Sequence, residues 1–416
     1  MDILRFITAG SVDNGKSTLI GRLLYDTKNI LADQMNAIEK ASKSRNNGEI
    51  DLALLTDGLR SEREQGITID VAYKYFQTAN RKFISIDAPG HLQYTRNMVT
   101  GASNADLAII LVDARLGVIE QTKRHSLIAG MLKIPYVIVA INKMDLVDFS
   151  EDTFLKIAAD YRELADKLKI ENLKIIPVSA LNGDNIVDKS PSMPWYQGET
   201  LLSVLETADV HRGAAEQGAR FPVQFVLRPQ TSELHDYRGY AGRLISGKLR
   251  KGDRISALPS GSSSVIAGIE VYGKEVDEIV VPQSATILLE DDIDISRGDI
   301  LTAGTDQPVP TQDVKSLICW MDDRKELKPG NKYLLQHGTS RVRCSVKQID
   351  YRIDINSYVQ EEGVEALRLN DVASVLLRTA QPIAFDPYSH NRANGGAILI
   401  DETSNVTVGA CMLEEV

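Results

Sequence analysis

Residues 10–18 read GSVDNGKST, which satisfies G-x-x-x-x-G-K-[ST]. The run follows the strand-like LRFITAG (4–10) and leads into the helical STLIGRLL. Strand, glycine loop and helix in that order are the context a phosphate-binding loop needs. The feature commits the front of the chain to an α/β fold, because the loop must open at the carboxyl end of a sheet and onto a helix N-terminus. Gly10 and Gly15 allow backbone N–H groups to approach phosphate oxygens. Lys16 is expected to reach the β and γ phosphates, and Ser17 to offer its hydroxyl to Mg²⁺. Ser11, Val12, Asp13, Asn14 and Thr18 complete the run expected to line the nucleotide.

The surrounding pattern agrees. Apolar runs RKFISID (81–87), LAIILVD (107–113), YVIVAIN (136–142) and LKIIPVS (173–179) alternate with helical periodicity at Gln121–Leu132 and Asp152–Leu168. Short buried strands separated by helices predict a mostly parallel sheet with helices on both faces. After ADVHRGAAEQGAR (208–220) the text changes to short strand-like runs punctuated by Gly, Pro, Asp and Ser, with a second break near 305–311. That predicts antiparallel β-barrels. The expected organisation is a GTP-binding domain over 1–210, a linker over 211–220, and barrels over 221–308 and 309–416. A chain of 416 residues is too long for one ordinary core, which suits three domains.

Composition excludes several classes. The formal net charge of −10 gives no support to a nucleic-acid partner. No stretch approaches the ~18 apolar residues of a membrane span, and the start MDILRFITAG lacks the pattern of a signal peptide. The three cysteines, Cys319, Cys344 and Cys411, are scattered. They read as buried thiols in a reducing cytoplasm.

Three further pieces fall at strand ends. DAPGH follows FISID, so Asp87 can hold Mg²⁺ through water while the Gly90 N–H meets the γ-phosphate. His91, next in line, has the position to orient the attacking water. NKMD ends YVIVAIN. The Asp145 carboxylate can accept both the N1 and N2 hydrogens of guanine, a donor pair adenine lacks, so it specifies GTP over ATP. Asn142 is expected to tie this loop to the phosphate loop, and Lys143 to lie along the base. Ser179, Ala180 and Leu181 end IIPVS, where backbone N–H suits the guanine O6. Thr68, in EQGIT, can give its hydroxyl to Mg²⁺ and its N–H to the γ-phosphate; spacing alone reads it equally well as a threonine opening a strand. The segment Tyr25–Arg63 reads as two charged helices, either a solvated insertion or a lid.

The set GSVDNGKST, EREQGITID, DAPGH, NKMD and SAL followed by two barrels resembles the translational GTPase superfamily. Finer text resembles the GTPase subunit of bacterial sulfate adenylyltransferase. It lies in EREQGITIDVAYKYF (62–76), QYTRNMVTGASNADLAIILVDAR (93–115), LLEDDIDISRGDIL (288–301) and DPYSHNR…ILIDETSNVTVGACM (386–412). Translation factors of this type carry a histidine where this chain has Ser11. The resemblance implies binding of GTP and GDP with Mg²⁺, and the switch role of Thr68. It also implies a catalytic small subunit as partner, which makes adenosine 5′-phosphosulfate and pyrophosphate from ATP and sulfate while GTP hydrolysis drives it. The family usually has Thr and Glu where this chain has Ala88 and Leu92. Some relatives are fused to an adenylylsulfate kinase with its own phosphate loop; no second such motif occurs here, so that activity is not expected. The competing reading is an elongation-factor-type GTPase that delivers aminoacyl-tRNA.

Overall fold

The computed structural model describes residues 2–30, 35, 52–55, 71–89, 95–210, 215–229, 236–355 and 357–416. It divides into two compact units, Met1–Val210 with Ile355–Tyr358, and His211–Asp354 with Val359–Val416.

The first unit is built on β1 (Ile3–Ala9), β2 (Ala72–Gln77), β3 (Lys82–Asp87), β4 (Leu107–Asp113), β5 (Tyr136–Asn142) and β6 (Leu173–Pro177). Their order across the sheet is β2-β3-β1-β4-β5-β6. All neighbours are parallel except β2, which runs antiparallel to β3. Every residue of β4 is buried, as a central parallel strand covered on both faces requires. The register sets Thr8 beside Asp87 and Asp113 beside Asn142. The polar residues that end these apolar strands therefore gather along one edge.

Helix α1 (Lys16–Asp26) buries Leu19, Ile20, Leu23 and Leu24. All four join Leu4, Phe6, Ile109, Leu111 and Ile138 in the core of the unit. Helix α2 spans Thr95–Ser103, α3 Glu120–Met131, α4 Glu151–Lys167 and α5 Leu201–Thr207. Helices α3 and α4 each begin and end one residue before the periodic stretches that predict them. The Ser150 hydroxyl accepts the Thr153 N–H and fixes the start of α4. The predicted helices of Tyr25–Arg63 fall mostly outside the described residues. Within them lies the short 3₁₀ turn Leu52–Leu55, against which a Cβ on Gly21 would come within 2.2 Å of the Leu52 carbonyl oxygen. Among the described residues no helix is long and apolar enough to cross a membrane.

The second unit holds two closed antiparallel barrels. In the first, six strands follow one another around the ring: Arg254–Leu258, Ile300–Ala303, Ala219–Leu227, Gly239–Arg243, Ser284–Leu289 and Ser262–Val271. The last pairs with the first. In the second the ring runs Lys332–His337, Gly396–Ile400, Thr407–Glu414, Thr311–Trp320, Val372–Ile383 and Ser340–Ile353, closed the same way. Closure removes free strand edges. An α/β domain followed by two antiparallel barrels is the architecture the sequence predicts.

Candidate functional site

Between β1 and α1 the chain makes a loop that only particular residues can form. Gly15 sits at φ 89°, and a Cβ there would lie 2.6 Å from Asn142 Nδ2. Both conformation and space demand glycine. Gly10 is nearly as confined, with a Cβ 3.1 Å from the Leu111 carbonyl oxygen. Asn14 is buried and donates through Nδ2 to that same carbonyl at 2.9 Å. The loop is thus fastened to β4 from beneath, with Ser11, Val12, Asp13, Ser17 and Thr18 at least partly open to solvent.

Lys16 is buried, and its Nζ donates to the carbonyls of Gly10 at 3.0 Å and Ser11 at 3.1 Å. Burial lowers its pKa, against the opposing pull of Asp87 and Asp13. An ammonium held on neutral carbonyls gains a strong partner when an anion enters the loop. The arrangement fits a polyphosphate. Asp87, 2% exposed, accepts from Thr8 Oγ1 at 3.0 Å at the end of β3. The Ser17 hydroxyl, on the first turn of α1, has no partner among the described residues. An oxygen-only donor set of a hydroxyl and a carboxylate fits Mg²⁺. Among the described residues no cluster of His, Cys, Asp and Glu could hold a metal by itself, and the three cysteines are buried and free.

The other half of the edge carries the groups expected to meet the base. Asn142 donates from Nδ2 to the Asn14 carbonyl at 2.8 Å and accepts from the Ala180 N–H at Oδ1, 2.9 Å away. One side chain therefore joins the phosphate loop to the loop of Ser179, Ala180 and Leu181. Ser179 Oγ donates to Asp145 Oδ1 at 2.6 Å, fixing that carboxylate with its second oxygen left for another donor. Lys143, at φ 65°, places Nζ 3.0 Å from Asp113 Oδ2.

Asp113, Arg115 and Arg22 were not anticipated from the sequence. Arg115 donates to Asp113 from Nε at 3.0 Å and Nη2 at 2.7 Å. Desolvation pushes the Asp113 pKa up, but the bonds from Arg115 and Lys143 outweigh it and hold the carboxyl well below its ordinary range. The available signal was positional: Asp113 ends an apolar strand beside strands ending in Asp87 and Asn142. Arg22, on α1, reaches the carbonyls of Ala180 and Leu181, a contact no motif marks. Thr68, Gly90 and His91 lie outside the described residues.

The elongation factor Tu GTP binding domain matches residues 1–212, and a GTP-eEF1A C-terminal domain-like family matches 313–414. The chain is 52% identical to sulfate adenylyltransferase subunit 1 of Aeromonas salmonicida (strain A449), over 99% of this chain and 87% of that one. It is 50% identical to sulfate adenylyltransferase subunit 1 of Sulfurovum sp. (strain NBC37-1), over 99% and 87%. The bifunctional enzyme CysN/CysC of Mycobacterium tuberculosis (strain ATCC 25618 / H37Rv) is 48% identical over 99% of this chain and 67% of its own. Among solved structures, that of sup35 complexed with GMPPNP aligns at 21% identity over 100% of this chain and 94% of that one, with a TM-score of 0.46.

Proposed function

Because the chain belongs to the family of sulfate adenylyltransferase subunit 1, with an elongation-factor-Tu-type GTP binding domain at its front, we propose that it is the GTP-hydrolysing regulatory subunit of such an enzyme. Its partner is the catalytic small subunit, which transfers the adenylyl group of ATP to sulfate and releases pyrophosphate. Formation of adenosine 5′-phosphosulfate is uphill, and GTP hydrolysis on this chain drives it. The complex works in the cytoplasm. The observation that carries this reading is identity of 52% over 99% of the chain, which reaches through both barrels and so covers more than the nucleotide domain. The same observation favours it over delivery of aminoacyl-tRNA.

The roles of the residues follow from their chemistry. Residues 10–18 cradle the phosphates, with Lys16 moving from its own loop's carbonyls to the β and γ phosphates. Ser17, Asp87 and Thr68 hold Mg²⁺, which when bound neutralises phosphate charge. Asp145 accepts the N1 and N2 hydrogens of guanine through the oxygen that Ser179 leaves open. Lys143 lies along the base, Asn142 keeps the two loops in register, and the 179–181 backbone meets O6. His91 orients the attacking water. Thr68 and Gly90 respond to the γ-phosphate, and their release after hydrolysis is the conformational signal to the partner.

The test is to co-express the chain with candidate small subunits and measure pyrophosphate release from ATP and sulfate. GTP is expected to raise the yield, and a non-hydrolysable GTP analogue is not. If GTP has no effect with any small subunit while the chain retains aminoacyl-tRNA in a GTP-dependent way, the reading is wrong.

A further inference from the structure

We infer that Arg22 is a positioning residue for guanine recognition, tying the phosphate-side helix to the loop that meets the base; this rests on the GTP reading above. Arg22 lies on α1, well past Lys16. Its guanidinium spans to the far loop, where Nε donates to the Ala180 carbonyl at 3.3 Å and Nη2 to the Leu181 carbonyl. The remaining nitrogen is held by Asp26 at 3.4 Å, one helical turn on. The group also lies over the Tyr25 ring at 5.6 Å. The planar fork of an arginine can span two successive carbonyls in this way, whereas a lysine ammonium reaches them only as a point charge.

The consequence lies in the N–H groups of the loop. The Ser179 N–H donates to the Asp184 carbonyl at 3.3 Å, and that of Ala180 to Asn142 Oδ1 at 2.9 Å. The Asn182 N–H goes to Ser179 Oγ at 3.3 Å, and that of Gly183 to the Ser179 carbonyl at 2.8 Å. Among the described residues only the Leu181 N–H of this stretch has no acceptor. In a trans peptide the C=O and the following N–H point in opposite directions. By holding the Ala180 carbonyl, Arg22 therefore turns the Leu181 N–H away from itself and keeps it unspent. A donor fixed in advance is available to guanine O6 without reorganisation. Asp145 selects the N1 and N2 edge; Arg22, acting through the Leu181 peptide, sets the O6 contact.

The experiment compares GDP, 6-thio-GDP and inosine diphosphate on the full chain and on its Arg22→Gln and Arg22→Lys variants. Sulfur at position 6 is a poor acceptor, so 6-thio-GDP gains little from the Leu181 N–H. Inosine diphosphate keeps O6 but lacks the 2-amino group that Asp145 binds. In the unsubstituted chain GDP is expected to bind more tightly than either analogue. Arg22→Gln is expected to weaken GDP by about five- to tenfold, the worth of one hydrogen bond of this kind. It should leave 6-thio-GDP nearly unchanged, with the ratio of GDP to inosine diphosphate preserved. Arg22→Lys should recover part of the loss, and it carries the same comparison if the glutamine variant does not fold. Equal weakening of GDP and 6-thio-GDP in both variants would mean Arg22 merely supports the fold, and the inference falls. If the unsubstituted chain does not prefer GDP over inosine diphosphate, the guanine-pocket reading itself fails and takes this inference with it.

Discussion

Asp145 and Ser179 form a short polar contact at the end of the sheet, 2.6 Å from Oγ to Oδ1. Ser179 bonds one oxygen and leaves the other open to a donor. Replacing Asp145 with Asn keeps an oxygen for Ser179 but turns the open position into an N–H₂ donor. Guanine then presents donor to donor, whereas xanthine presents its O2 acceptor. Asp145→Asn is accordingly expected to cost GTP on the order of 100-fold in affinity and to raise that of XTP. Competition binding with the two nucleotides checks it, and an unchanged preference would show that the base does not lie at Asp145. The residues that define this pocket differ in how visible they were. Asn142, Asp145 and Ser179 stand in short motifs at strand ends, where chemistry in a parallel sheet concentrates. Arg22 and Arg115 do not. An arginine on an amphipathic helix reads as a solvated surface group, and only the folded chain brings Arg22 to two carbonyls more than 150 positions away.

At the scale of elements, the middle of the sheet was legible because its inner strands are buried on both faces. LAIILVD and YVIVAIN are unbroken apolar runs, and the strands fill them end to end, as Leu107–Asp113 and Tyr136–Asn142. Helix α5 was not, since a helix of seven residues gives too few turns for periodicity to show; the Thr200 cap that starts it is a local signal of the kind short helices need. Turns were legible as turns but not by type. In the first barrel Val271 pairs with Lys274, leaving the two-residue turn Tyr272-Gly273 with φ of 51° and 73°. Two left-handed residues are what a type I′ turn needs, and Asn rather than Tyr is the ordinary choice in the first place. The Tyr272 side chain is fully exposed, so no packing on this chain offsets its backbone strain. Tyr272→Asn is expected to stabilise the second unit by roughly 0.5–1 kcal/mol. Urea denaturation would show it as a higher midpoint with an unchanged slope.

At the scale of the whole molecule, the two barrels of the second unit meet across a seam in which a small apolar cluster, Leu258 and Ile300 against Ala384, lies beside a buried polar network. Arg220, 1% exposed on the first strand of the first barrel, donates to both oxygens of Asp386 of the second barrel, at 2.9 and 2.8 Å. The Asp306 carbonyl accepts from Arg220 Nη1 at 2.9 Å, and Asn394 Nδ2 donates to Asp386 at 2.7 Å. Asn391 to Ser246 Oγ and Thr339 to the Val223 carbonyl, at 3.2 and 2.9 Å, extend the seam. A buried ion pair repays its desolvation only when geometry is good and the remaining lone pairs are satisfied, as they are here. Removing one partner is different from removing both. Asp386→Ala leaves the buried guanidinium only the largely exposed carboxylate of Asp306, 3.6 Å from Nη2, and is expected to lose about 3–5 kcal/mol, whereas Arg220→Met with Asp386→Leu replaces the pair by apolar contact and should recover part of the loss, the buried Asn394 amide then lacking its acceptor. Denaturant unfolding of the full chain, followed by fluorescence of Trp320 in the second barrel, separates these outcomes. Trp320 is fully buried there, while the other tryptophan, Trp195, lies in the first unit and would be changed to Phe in every form compared. GDP affinity measured well below the transition is expected to be the same in all of them, because every described contact of the nucleotide site lies within residues 1–210. A fall in affinity that tracks the loss of the ion pair would instead mean that the seam between the barrels is felt at the phosphate loop.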